Sequence, residues 1–265
     1  MTLSYLGIYL AAGVFVGLFA GLLGIGGGSV MVPMLSMIFV AQGHSNDHVV
    51  HMALGTSMAT IIPGALASAW THHKHAAVNW PVVTRMAPGI VAGTFCGAIM
   101  TYFSSTAFLK GFFVVFICYV AAQMLFNIKP KGGHTLPPPW GLAVCGAVIG
   151  IVSSFAGIGG GMLSTAFLGW CNIRIHEAIG TAAALGVPLA IAGTLGFIVT
   201  GLFDADLPEW TLGYIYLPAF VGIAIVSTLI APLGARLAHR LPVGILKKIF
   251  VVFLVALAVK MAVSV

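Results

Sequence analysis

Charge is what this sequence has least of. Only 6% of its 265 residues are charged, and the acids number five: Asp47, Glu177, Asp204, Asp206 and Glu209. A soluble domain carries roughly a quarter charged residues because its surface must be wetted, so a soluble surface is excluded. None of the five acids lies in the middle of an apolar run. Metal-ion carriers usually need intramembrane carboxylates to offset the cation, and many proton pumps relay through them. Their lack argues for an anionic or neutral solute, and leaves proton coupling to histidine or to a solute that carries its own proton. Cysteine is scarce as well: Cys96, Cys118, Cys145 and Cys171 lie in or beside apolar stretches with no CxxC pair. They read as small buried hydrophobes, the alternative being contact with a sulfur-containing solute. HExxH, GxSxG, a GK(S/T) loop ending and basic runs interleaved with aromatics are all missing. No enzyme, metal, cofactor or nucleic-acid partner is expected.

What fills the chain instead is hydrocarbon, 60% hydrophobic residues with a mean hydropathy of +1.11. The runs Met52–Trp70, Pro81–Tyr102, Phe108–Ile128, Thr181–Leu202 and Leu212–Leu233 approach or exceed the roughly 17–25 residues that cross a bilayer. The first run, Leu3–Leu23, lacks a basic leader and is read as a retained span. An all-α polytopic membrane protein follows, a single transmembrane domain with the lipid bilayer as its surroundings. The net charge of +6 is assigned to short loops that set orientation.

Self-comparison shows a duplication. GVFVGLFAGLLGIGGG (Gly13–Gly28) aligns with GAVIGIVSSFAGIGGG (Gly146–Gly161), and HMALGTSMATIIP (His51–Pro63) with HEAIGTAAALGVP (His176–Pro188). Trp80 and Pro88 pair with Trp210 and Pro218, and LKGFFVVF (Leu109–Phe116) pairs with LKKIFVVF (Leu246–Phe253). We divide the chain into a first repeat (1–130), a cytoplasmic linker (131–139) and a second repeat (140–265). Each repeat has about four spans plus a short, broken or half-length segment after a glycine-rich break, 8–10 segments in total; the short segments are Ser29–Ala41 and Met162–Cys171.

Loop charge sets the direction of each half. Basic THHKH (Thr71–His75) corresponds to acidic DADLPE (Asp204–Glu209), and uncharged FSSTA (Phe103–Ala107) to basic GARLAHRLP (Gly234–Pro242). With both termini outside and all five segments of each half crossing, Lys74, Lys129, Lys131, Arg174, Arg236, Arg240, Lys247 and Lys248 fall inside. Asp47, Asp204, Asp206 and Glu209 fall outside, with Lys110, Lys260 and Glu177 as exceptions. The positive-inside rule therefore favours two inverted-topology repeats.

Two copies of GIGGG, each followed by a short apolar segment and then by GT(S/A) opening a helix, resemble the sulfite exporter TauE/SafE family over nearly the whole chain. The resemblance implies a secondary transporter of sulfite or organosulfonates in a prokaryotic inner membrane. The second copy departs from the first, with Gly180-Thr181-Ala182 for Gly55-Thr56-Ser57 and Met162 for Ser29. If those hydroxyls bind substrate, the halves contribute unequally. A passive anion channel, or a carrier of a different small organic anion, is the alternative on the same architecture. Partners are a small anionic substrate and lipid, with a homodimer left open.

A broken helix at membrane depth survives only inside protein or beside a water-filled cavity. Paired breaks in inverted halves mark the binding site of a secondary carrier. Each break is followed by a helix start with unpaired N–H groups and partial positive charge, and glycine lets an oxyanion approach closely. The substrate-binding set is thus Gly26, Gly27, Gly28, Ser29, Gly159, Gly160 and Gly161, with Thr56, Ser57 and Thr181 as hydroxyls beginning the next helices. Two plainer readings stand beside this one: glycines that permit close helix packing, and hydroxyls that only cap. Ser153, Ser154, Ser164 and Thr165 flank the second break and either line the same cavity or bond their own backbone. His51 and His176 hold the same step of each half, as coupling or gating groups or as interfacial residues bonded to loop carbonyls. Arg85 either snorkels or offers a fork to an oxyanion. His72, His73 and His75 read as solvated anchors rather than a metal cluster, and Trp80 and Trp210 as interfacial belt residues.

Overall fold

The computed structural model describes residues 2–23, 28–126, 133–238 and 243–264. Among them run ten helices: α1 (Thr2–Leu23), α2 (Gly28–Ala41), α3 (Asn46–Lys74), α4 (Trp80–Tyr102), α5 (Thr106–Leu125), α6 (Pro139–Ala156), α7 (Gly161–Trp170), α8 (Ile175–Gly201), α9 (Leu217–Ala238) and α10 (Val243–Ser264). Six of them are long and apolar enough to cross a membrane, so this is a multi-pass membrane protein. The starts are written locally. Ser45, Asn79 and Ser105 are N-caps whose side-chain oxygens accept from Asp47, Val82 and Phe108 amides, satisfying donors that a helix start leaves unpaired.

One expected span is shorter than its apolar run. Leu212–Leu233 is not helical throughout: Thr211–Leu212 (β1) and Ile215–Tyr216 (β2) pair as an antiparallel hairpin, and helix begins only at Leu217. Gly213, at φ 56°, turns that hairpin against the end of α8, where a Cβ would collide with the Ile198 backbone. Tyr214 N–H then donates to Phe197 O at 3.2 Å and Leu217 N–H to Trp210 O at 3.0 Å. Those bonds use amides that a longer helix would need.

Small residues set the helix pairing. In α4, a Cβ on Gly89 or Gly93 would run into the Ala143 or Ala147 backbone of α6; one on Gly97 would come 3.0 Å from Ile151 Cα. In α1, a Cβ on Gly13 would lie 3.2 Å from Ile223 Cα and one on Gly17 2.8 Å from Ser227 Cα of α9. Both pairs run parallel and rely on small residues spaced four apart, which let backbones approach where lipid supplies no hydrophobic drive. By the sequence alignment α1 corresponds to α6 and α4 to α9, so the two pairings are counterparts of one another. Helix α3 packs on its own counterpart α8, and α5 on its counterpart α10. The direction in α3–α8 is antiparallel, with Gly55 against Phe197, Met58 against Gly193 and Ala65 near Gly186. Every residue from Val49 to Thr60 is buried, so α3 forms part of the interior core.

Candidate functional site

Gly28, the last residue of the first glycine run, lies against the second break. Helix α6 ends at Ala156, and Gly157 leaves it in the left-handed region (φ 60°, ψ 34°), with Ile158 N–H returning to Ser153 O at 3.1 Å. Gly160, at φ 64°, is the N-cap of α7 and provides no side-chain cap. Both conformations suit glycine because an added Cβ would meet the following carbonyl. Crowding adds to this: a side chain on Gly157 would strike Val32 and Leu54, and one on Gly160 would strike Leu189. From the other half, Gly28 opens α2 directly against this turn. A Cβ there would come 2.6 Å from Gly157 O and 2.9 Å from Ile158 Cα.

The hydroxyls nearby divide into used and unused. Ser57 Oγ donates to Gly157 O at 2.8 Å, tying α3 to the second break. Ser154 Oγ donates to Thr94 O at 2.7 Å. Ser29, Thr94 and Ser153 are at most 3% exposed, yet among the described residues their hydroxyl oxygens have no hydrogen-bond partner. A buried hydroxyl without a partner costs about 1–3 kcal/mol, and buried polar groups are paired with few exceptions. Ser153 Oγ points at the start of α7, 3.2 Å from the position of a Cβ on Gly160. Ser29 lies in the first turn of α2. So each break carries a helix start and an unpaired hydroxyl.

Other expected members fall elsewhere. Gly26 and Gly27 lie outside the described residues. Gly159 sits against Ile61, whereas no described residue beyond its own helix lies within 4 Å of a Cβ on Gly161. Thr56, Ser57 and Thr181 do not begin helices. Helix α3 starts at Asn46 and α8 at Ile175, because Ser45 caps the first and the turn at Cys171–Arg174 leads straight into the second. Thr56 and Thr181 instead cap across the halves: Thr56 Oγ1 accepts Tyr216 N–H at 3.0 Å, just before α9, and Thr181 Oγ1 accepts Asn79 N–H at 2.9 Å, just before α4. The reciprocity joins equivalent threonines to equivalent helix starts.

The two histidines are not alike. His51 is buried, its Nε2 2.9 Å from Thr101 O and its Nδ1 3.2 Å from Asp47 O, whereas His176 is exposed. Arg85 is exposed on α4, away from the breaks. Beyond His51 lies a polar group that sequence reasoning did not assemble. His48 Nδ1 is 2.9 Å from Asp204 Oδ2, and Tyr214 Oη donates to the same oxygen at 2.7 Å. Burial, followed by the Asp204 bond and charge, raises the Tyr214 pKa above the usual tyrosine range. At the opposite ends of α3 and α8, Asn79 Nδ2 donates to Glu177 Oε1 at 2.6 Å. Only Asn79 had a readable signal, standing before Trp-Pro at a helix start. Among the described residues, no three His, Cys, Asp or Glu side chains gather as a metal set.

The profile of the sulfite exporter TauE/SafE family matches residues 9–261. A "Probable membrane transporter protein" of Haemophilus influenzae is 38% identical over 260 residues, covering 97% of this chain and 98% of that protein. Probable membrane transporter proteins of Methanocaldococcus jannaschii and Bacillus subtilis are 27% and 25% identical. They cover 90% and 87% of this chain, and 88% and 89% of their own lengths. No solved structure matches the chain.

Proposed function

The chain belongs to the sulfite exporter TauE/SafE family and is a membrane transporter, and from that premise we propose a secondary carrier of sulfite or a related organosulfonate. The observation that carries the reading is the junction of the two breaks. There the first-turn amides of α2 and α7, which a helix start leaves without intrahelical partners, and the hydroxyls of Ser29 and Ser153, without a partner among the described residues, are available to a solute. Such donors suit an oxyanion, which accepts hydrogen bonds and gives none. Gly28, Ser29, Gly159, Gly160 and Gly161 are the solute-facing set, with Gly26 and Gly27 assigned to it by sequence. Ser57, Thr56 and Thr181 hold the frame around it.

The carrier works by alternating access of two inverted repeats, α1–α5 and α6–α10. Antiparallel packing of the counterparts α3 and α8 supports that arrangement, as does the exchange of partners in α1–α9 and α4–α6. Thr56 and Thr181 are the matching joints between halves. Orientation follows charge. Asp47, His48 and Asp204 gather at one end of α3, while Lys74 and Glu177 lie toward the other. The first end is outside, as are both termini, in an inner membrane.

Purified protein in liposomes tests the reading. Saturable, protein-dependent sulfite or methanesulfonate flux is expected. Flux that does not saturate, or movement of neutral solutes alone, would overturn it.

A further inference from the structure

The ring of His51 meets a carbonyl oxygen at each of its nitrogens. Its Nε2 is 2.9 Å from Thr101 O at the end of α4, and its Nδ1 is 3.2 Å from Asp47 O, one turn back in α3. A carbonyl accepts hydrogen bonds and gives none, so each contact requires an N–H on the ring. Neutral imidazole carries one N–H; the imidazolium carries two. We infer that His51 is a proton-binding site, filled in the arrangement seen here, and that loss of its proton opens the mouth of the carrier at this end. This rests on the alternating-access reading above and not on the identity of the solute.

The surroundings leave the site poised. Among the described residues, His51 is the one buried side chain of the Asp, Glu, Lys, Arg and His kinds. Burial works against a charge there. The two carbonyls work for it, as does the Asp204 carboxylate, which acts on the ring from the second half. Tyr214 stacks on the ring with centroids 5.3 Å apart and gives its hydroxyl to Asp204, and His48 holds the same carboxylate oxygen. The titratable groups facing His51 are thus His48 of its own helix and Asp204 and Tyr214 of the stretch after α8, with Tyr102 of α4 acting on Tyr214. Helices α4 and α5 contribute the uncharged Thr101 carbonyl and Thr106 hydroxyl, the latter donating to Asp47 O at 2.8 Å.

Proton and mouth are linked because the site draws on both halves. Asp204 and Tyr214 belong to the second half, whereas Asp47, His48, His51, Thr101 and Thr106 belong to the first. When the halves part at this end, the carboxylate that offsets the ring's charge moves away, and the proton leaves to water. Conversely, a ring without that proton turns a lone pair toward Thr101 O or Asp47 O, which loosens the ends of α3 and α4 and favours parting. Linkage makes the two effects equal, so protons favour the closed mouth. Loop charge puts this end outside, and external acid therefore holds it shut. The counterpart His176 is exposed, and the matching end carries the Asn79–Glu177 bond instead.

Two measurements on the full chain test this. In nanodiscs, 15N NMR of the histidine rings reads the proton, with the His51 signals identified by their nearness to the Tyr214 ring. At about pH 5.5, below the ordinary histidine range, both His51 nitrogens are expected to carry protons, and one becomes bare as pH rises. A bare nitrogen at the acid end overturns the inference. In proteoliposomes with equal pH on both sides, exchange of methanesulfonate, whose charge is constant over this range, reads the mouth. Exchange is expected to rise about tenfold per pH unit on the acid side of the His51 titration and then level off. His51→Gln should abolish that rise, His48→Gln should keep it, and Asp204→Asn should move it, with the NMR titration, to lower pH. A rise that survives in His51→Gln, or an Asp204→Asn titration that stays in place, overturns the inference; the second holds even where His51→Gln does not fold. If methanesulfonate exchanges at no pH while His51 shows its two N–H groups, the solute reading fails and the proton site stands.

Discussion

Ser57 of the first half donates its hydroxyl to the carbonyl of Gly157 in the second, 100 positions away, at 2.8 Å. That bond holds α3 against the turn that ends α6, beside the opening of α2. Ser57→Ala leaves a buried carbonyl short of a partner. We expect a loss of about 1–2 kcal/mol, read as a lower unfolding temperature in detergent, with membrane insertion unchanged.

Gly160 and Gly161 separate packing from ligand binding. Gly160→Ala must place a Cβ at φ 64° and against Leu189; the backbone term alone is about 1–2 kcal/mol, so both stability and flux should drop. Gly161→Val adds a side chain where no described residue beyond its own helix lies within 4 Å. If the glycines serve only to let helices touch, that variant transports normally. If open space at the start of α7 holds the solute, it folds like the parent and loses sulfite and methanesulfonate flux.

The cross-half threonine caps should differ in weight. Thr56→Val strands the buried Tyr216 amide, whereas Thr181→Val strands a half-buried Asn79 amide that water can reach. About 1–3 kcal/mol is expected for the first and less for the second, by thermal unfolding of the two variants side by side.

The glycine breaks and the duplication were legible because each is a local pattern of composition or spacing. Helix starts were less so. Placing Thr56 and Thr181 at helix ends followed the GT motif, but Ser45 caps α3 about ten residues earlier and the motif lies mid-helix. The hairpin at Thr211–Tyr216 was hidden because its run is as apolar as the helix it precedes. Which hydroxyls are spent and which are free depends on contacts such as Ser57–Gly157 and Ser154–Thr94, each spanning 60 positions or more, which periodicity does not encode. His48, Asp204 and Tyr214 likewise come together only when α3 and α8 pack antiparallel.

Tyr214 gives a pH signature. Its folded pKa is raised, chiefly by burial and then by Asp204, so the stability it contributes is fully present below the ordinary tyrosine pKa, about 10. That contribution is lost as pH rises through the higher folded value. In Tyr214→Phe the alkaline loss of stability should be shallower than in the parent, while the neutral-pH stability is already lower. Unfolding temperatures measured from neutral to strongly alkaline pH check both.

The junction of the two breaks as the solute site has one most direct test. The protein in nanodiscs, imaged by cryo-electron microscopy with a bromoalkanesulfonate bound, is expected to hold the sulfonate between the start of α2 at Gly28–Ser29 and the start of α7 at Gly160–Gly161, within hydrogen-bond reach of Ser153 Oγ. Sulfonate density only at an end of the bundle, by His48 and Asp204 or by Lys74, with the junction empty at saturating solute, would contradict the account.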